Sequence, residues 1–294
     1  MKPAPSVILF STLSGLGFGF LALLGLGLIA TQGWPAFFHW AFGYAFAVGG
    51  LLSSTFHLGH PERAWRAFSQ WRSSWLSREG VAAVATLLIL APQALSDWLG
   101  LGWGQGFGVL GAVGCAATVL CTGMIYAQLK TVPRWHHWTV PVTYIAFSLT
   151  GGLILAGSGL WAAVACLGLG GLLAYGWRIG DSAFARAGVD LASATGLSGL
   201  GRPQVFEQPH TGGNYLMREM IFTVGRRHAA KLRVIALVLA AGIPALATLV
   251  LPVLPALILG GAAHLAGAMA QRWLFFAEAE HVVGLYYGRM SGNS

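Results

Sequence analysis

Eight stretches of this sequence, near residues 6–30, 36–56, 79–97, 105–128, 139–157, 159–177, 232–251 and 254–276, are each long and apolar enough to bridge a bilayer as a helix. A hydrocarbon core about 30 Å thick needs roughly 20 residues at about 1.5 Å of rise each. The pattern predicts an all-α, polytopic integral membrane protein with eight transmembrane helices. Residues 1–294 are expected to form a single membrane domain with a long polar connection at 178–231. Composition supports this: 56% of residues are hydrophobic and only 9% charged, against about 25% charged in soluble domains. The first run exceeds the roughly 7–15 residue core of a signal peptide, and no small-residue cleavage site follows, so it is expected to remain as a span.

Positive charge is distributed on one side of these runs. Lys2 precedes the first; Arg63, Arg66, Arg72 and Arg78 follow the second; Lys130 and Arg134 follow the fourth; eight more lie in 178–233; Arg289 is near the C-terminus. The other connections carry only Asp97. Lys and Arg accumulate on the cytoplasmic side of membrane proteins, which predicts that both termini and all long connections are cytoplasmic. The regular alternation supports eight as the count. It also accounts for the net charge of +8 without nucleic acid as a partner; membrane lipid is the expected surroundings. Arg272 alone among the 17 basic residues is not accounted for by this asymmetry.

Within 178–231, Ser182–Pro203 reads as a flexible Gly-, Ala- and Ser-rich connection. Asn214–Lys231 has Leu216, Met217, Met220, Ile221 and Val224 at helical spacing, consistent with an amphipathic helix on a partner or on lipid headgroups. Gly15, Gly17, Gly19, Gly25 and Gly27 in the first run suit close helix packing. The GLGFG within it follows no strand, so it is not a dinucleotide fingerprint.

The segment Phe56–Gly80 holds two histidines, two glutamates, four arginines and three tryptophans at one membrane face. Gly59 and Pro61 should end the second helix just after His57, and Ser77 is the expected cap of the third, with Glu79 in its first turn. His57 and Glu79 then lie at adjacent helix ends, where a lipid-borne headgroup meets water. A quinone needs a hydrogen-bonding partner at its oxygen and a proton route, and His with Glu suits both. The competing interpretation has His57 bonding a backbone carbonyl and Glu79 offsetting the helix dipole or pairing with Arg78. Arg78 and Trp75 are candidates for support, although Trp65, Trp71 and Trp75 also fit an interfacial belt. Arg272 is a further candidate by its depth; its structural alternatives are snorkelling or an ion pair with Glu278 or Glu79. It lies near His57 and Glu79 if the eighth helix packs beside the second and third.

No metal or catalytic-cofactor site is expected. Cys115, Cys121 and Cys166 lie in apolar runs without cluster spacing, so no iron–sulfur cluster is expected in this chain. His39 and His264 do not form a matched haem pair, and the adjacent His136 and His137 cannot both face one ligand from a helix.

The stretch HLGHPERAWRAFSQWRSSWLSRE resembles the membrane anchor subunits of dimethyl sulfoxide reductase-type molybdoenzymes, the DmsC-type family. TVPRWHHWTVP, Thr131–Pro141, and AGAMAQRWLFF near the C-terminus extend the resemblance, and 178–231 is the main departure. It implies a non-catalytic subunit of an oxidoreductase complex in the bacterial inner membrane. Such a subunit exchanges electrons between ubiquinone or menaquinone and a partner iron–sulfur subunit, which serves a molybdopterin catalytic subunit. His57 matches the family's quinol-binding histidine and Glu79 its functional glutamate. PSVILFSTLSGLGFG, the long connection and the cytoplasmic charge look more like the anchor branch of cytoplasmic sulfite dehydrogenase. Sulfite oxidation with quinone reduction is therefore expected ahead of a menaquinol-oxidising role in anaerobic dimethyl sulfoxide respiration. Two readings from other classes are a secondary transporter, against which the ionisable groups at one face argue, and an inert tether.

Overall fold

In the computed structural model, residues 3–57, 60–201, 203, 204, 206, 207 and 228–287 are described. Among the described residues, seven helices are long and apolar enough to cross a membrane: α1 (Pro5–Gly25), α2 (Trp34–Ser53), α3 (Trp75–Leu99), α4 (Gly106–Ala127), α6 (Gly159–Asp181), α7 (Ala229–Val250) and α8 (Val253–Ala277). Between α4 and α6 lies α5 (Thr139–Leu155), also apolar but of 17 residues, a rise of about 26 Å. The chain is an all-α polytopic bundle.

Local chemistry sets the helix ends. Pro5 and Pro35 occupy first turns, where a missing N–H costs nothing. Gly27 (φ 70°) and Gly100 (φ 65°) supply the left-handed turns that terminate α1 and α3. The α1 helix thus stops at Gly25, short of the expected residue 30. Ser74, and not Ser77, caps α3, its hydroxyl accepting from the Ser77 N–H at 3.5 Å. The helix therefore begins at Trp75, and Glu79 falls in its second turn, deeper than expected.

The central helix is α1, which touches α2, α4, α5 and α8. Its glycines make this possible. A Cβ at Gly17 would overlap the Ala47 backbone of α2, one at Gly19 the Ser148 carbonyl of α5, and one at Gly25 the Gly108 carbonyl of α4. In return, Gly50 of α2 lies against the Ser14 backbone. Lipid gives helices no hydrophobic reason to associate, so backbone-close contact carries much of the cohesion. Gly15, by contrast, has no neighbour within 4 Å.

In the other half, α7 carries a π turn at Val238–Gly242. Pro244 has no N–H to offer the Ala240 carbonyl, and His264 of α8 takes its place, with Nδ1 at 2.9 Å from that oxygen. Gly267 lets α8 meet the same turn directly. The main neighbours of α8 are α1, α5 and α7, not the second and third helices beside which Arg272 would lie near His57 and Glu79.

One end of the bundle gathers the charge. Arg134 and Arg233 both grip Asp181 (2.6 and 2.5 Å) and Glu278 (3.2 and 2.7 Å), tying the α4–α5 connection to α6, α7 and α8. Short helices at Ala183–Arg186 and Leu191–Thr195 occupy part of the stretch expected to be flexible, the second closed by an Asp190–Ser193 capping box. The proposed helix in 214–231 lies outside the described residues apart from its last four positions.

Two stability outcomes follow from these contacts. Gly19→Val should destabilise the purified protein by about 2–3 kcal/mol through forced helix separation, whereas Gly15→Ala should leave its melting temperature unchanged or raised. Glu278→Gln should cost about 2 kcal/mol, because two partly buried guanidinium groups lose their shared carboxylate; thermal unfolding in detergent checks all three.

Candidate quinone pocket

The inward stripe of α3 runs Glu79, Ala83, Thr86, Leu90, Gln93, at the spacing of one helix face. Facing it on α4 are Gly111, Cys115, Thr118 and Thr122. Gly111 and Gly114 leave room for Leu90 and Thr86, so the two helices meet closely. At this seam the Thr86 and Thr118 hydroxyls lie 3.5 Å apart. One turn nearer the charged end, the Thr122 hydroxyl donates to Glu79 Oε1. Glu79 is only 4% exposed, and no cation pairs with it among the described residues. A carboxyl group at this depth is costly to keep and is a functional candidate by default.

Glu79 lines a pocket of about 730 Å³ at the charged end of the bundle, within the size range of small-molecule sites. Val7 and Phe10 of α1, Leu51, Ser54 and Thr55 at the end of α2, Ala83 and Val84 of α3, and Ile125 and Tyr126 of α4 form its walls. The 3-10 turn Pro61–Phe68 covers it with Ala64, Ala67 and Phe68, and brings His60 and Arg63 to its edge. Gly80 admits Phe68: a Cβ there would stand 3.2 Å from the ring. The Ser54 and Thr55 hydroxyls are turned back onto the Leu51 and Leu52 carbonyls. Inside, then, the lining is mostly apolar, with Glu79 and Tyr126 as its deep polar groups. His60 instead pairs with Glu62 at 2.9 Å, both well exposed.

The sequence-predicted residues divide. His57 ends the 3-10 turn Ser54–His57, two residues after the pocket-lining Thr55, while its side chain lies outside the described residues. Arg78 does not pair with Glu79. Its guanidinium donates to the Trp71 and Arg72 carbonyls at 3.0 and 2.7 Å and stacks 4.4 Å above Trp75, so the two residues brace the loop before α3. Arg272 lies outside the pocket. It is 2% exposed on α8, with its guanidinium 3.4 Å over the Tyr144 ring and 5.2 Å from Phe147. Neither Glu278, held by Arg134 and Arg233, nor Glu79 serves as its counterion.

Four histidines elsewhere have local partners. Both ring nitrogens of His264 face backbone carbonyls, of Ala240 and Phe147. His39 faces the Pro35 carbonyl at 2.6 Å and His136 that of Ala127 at 2.7 Å. His137, beside Thr139, is held below the ordinary imidazole range by burial and by Arg186. All three cysteines are buried and free, and no cluster of three metal-binding side chains occurs among the described residues.

Thr122 and Tyr126 were not singled out from sequence. The signal existed: Thr118, Thr122 and Tyr126 recur every four residues on an otherwise apolar helix, a polar stripe that must face something other than lipid.

Comparison with known proteins meets this geometry at the same elements. Residues 36–168, spanning α2 to α6 and therefore both Glu79 and Thr122, match the family described as DMSO reductase anchor subunit (DmsC). The chain is 31% identical to a sulfite dehydrogenase subunit of Allochromatium vinosum, across 98% of this chain and 99% of that one. No solved structure matches it. The chain belongs to the DmsC-type family of molybdoenzyme membrane anchor subunits.

Proposed function

We propose that the pocket beside Glu79 receives the headgroup of a membrane quinone, and that the chain is the quinone-reactive anchor of a molybdoenzyme complex. The carrying observation is a buried, hydrogen-bonded carboxyl group in the wall of a 730 Å³ apolar pocket at the charged end of the bundle. In this reading His57 hydrogen-bonds one quinone oxygen and Glu79 exchanges the proton. Reduction to quinol takes two electrons, arriving singly from an iron–sulfur cluster of the partner subunit, and two protons, delivered from the water at the same face. Cluster-free itself, the chain positions the quinone beside that partner, which in turn serves a molybdopterin subunit. Near-full-length similarity to the sulfite dehydrogenase subunit favours sulfite oxidation coupled to quinone reduction. The DmsC match keeps the reverse direction, menaquinol oxidation for a sulfoxide reductase, as the second reading.

In the same reading, all eight helices including the 17-residue α5 span the bacterial inner membrane, with both termini cytoplasmic. An impermeant maleimide applied to spheroplasts should then label Gln32→Cys and spare Ser69→Cys; both positions are exposed, on opposite ends of the bundle. The reverse pattern refutes the orientation.

Glu79→Gln and His57→Ala should each lower quinone-coupled turnover of the complex by on the order of 10²-fold or more, with activity toward a soluble artificial electron acceptor retained. Undiminished quinone coupling in both variants refutes the site.

A further inference from the structure

Arg272 is the one buried charge among the described residues that has neither an ion pair nor a place in the pocket. Burying a cation without an anion is expensive. Its compensation here is aromatic: the guanidinium lies 3.4 Å over the Tyr144 ring and 5.2 Å from that of Phe147, with a hydrogen bond to Gln271 at 3.2 Å. Its Nε is buried without a partner, and the Tyr144 hydroxyl has that of Tyr126 as its polar neighbour. Glu278, less than two turns further on, is committed to Arg134 and Arg233.

What Arg272 fixes leads back to the pocket. Tyr144 stacks on Tyr126, with centroids 5.9 Å apart and planes at 19°. Trp135, Phe275 and Phe276 meet the Tyr126 ring edge-on at 5.2–5.6 Å. A ring held on so many sides has little rotational freedom. Yet Tyr126 lines the same pocket as Glu79, and its hydroxyl is the only polar group its side chain can offer there. It stands four residues beyond Thr122, the hydroxyl that holds Glu79.

We propose that Tyr126 is a second quinone-binding residue, donating a hydrogen bond to the oxygen opposite the one served by His57 and Glu79. Tyr144 and Arg272 are its positioning residues. The proposal rests on the quinone reading of the pocket. It explains why a cation stays buried without a carboxylate: Arg272 works through the face of Tyr144, and a salt bridge would draw it off the ring. It also gives the two-ended recognition that a symmetric headgroup invites, one end for proton exchange and the other for orientation.

The test is a fluorescence titration of membranes carrying the full complex with a hydroxyquinoline N-oxide, a quinol analogue whose emission is quenched on binding. Tyr126→Phe, which keeps the ring and its packing, should raise the Kd about tenfold. Arg272→Gln should raise it to a similar extent, and Arg272→Lys, which preserves the cation over the ring, should restore most of the affinity. Acting through one hydroxyl, Tyr126→Phe combined with Arg272→Gln should bind no more weakly than Tyr126→Phe alone. A Kd within twofold of wild type for Tyr126→Phe overturns the proposal while leaving the quinone reading intact. Additive losses, or no restoration by lysine, overturn the positioning role of Arg272. If the wild-type complex itself shows no quenching, the quinone reading falls and this proposal with it.

Discussion

The backbone-close packing of α1 is the constraint on which the remaining structure depends. Gly17, Gly19 and Gly25 place three neighbours, α2, α5 and α4, against successive turns of one helix. Inside a bilayer there is no gain from removing apolar side chains from water, so cohesion comes from van der Waals contact and hydrogen bonds at short range. With α2, α4 and α5 fixed to it, the charged end of α1 becomes one wall of a cleft whose others are the ends of α2, α3 and α4. The pocket beside Glu79 is the space those crossings leave, roofed by the 3-10 turn Pro61–Phe68.

Polar groups inside the bundle fall into two kinds. Most have local partners: His264 supplies the hydrogen bond that Pro244 denies to Ala240, and Glu278 and Asp181 share two arginines. These hold helices in register and need no further role. Glu79 and Arg272 differ. The first has a single hydroxyl donor and opens onto an apolar pocket; the second has aromatic faces where a carboxylate is expected. Both departures from full satisfaction occur around Tyr126 and Tyr144, at one end of the molecule.

Much of this was legible in the residues. Apolar run length gave the helices to within a few positions, and the crowding of ionisable groups in Phe56–Gly80 singled out the end of α3 at which Glu79 lines a pocket. The errors have identifiable causes. Either Ser74 or Ser77 was able to cap α3, and only the approach of the preceding loop favours Ser74, which carries Glu79 a turn deeper. Arg78 was a plausible partner for Glu79 by adjacency, but consecutive residues on a helix point about 100° apart. Arg272 was recognised as exceptional by its depth, whereas its stacking on Tyr144, 128 positions earlier, has no local signature.

The sequence alone determined the class of fold, the approximate spans and the asymmetry of charge, because each depends on side-chain transfer between water and lipid, a property of residues taken one at a time or in short runs. Tertiary structure decided what the polar residues face. Whether Glu79 meets Thr122 or Arg78, whether Glu278 or an aromatic ring takes Arg272, and whether Tyr126 borders lipid or a pocket all depend on helix rotation and crossing. Those are set by contacts between glycines and backbones far apart in the chain, where a displacement of a single methyl group changes which side chains meet.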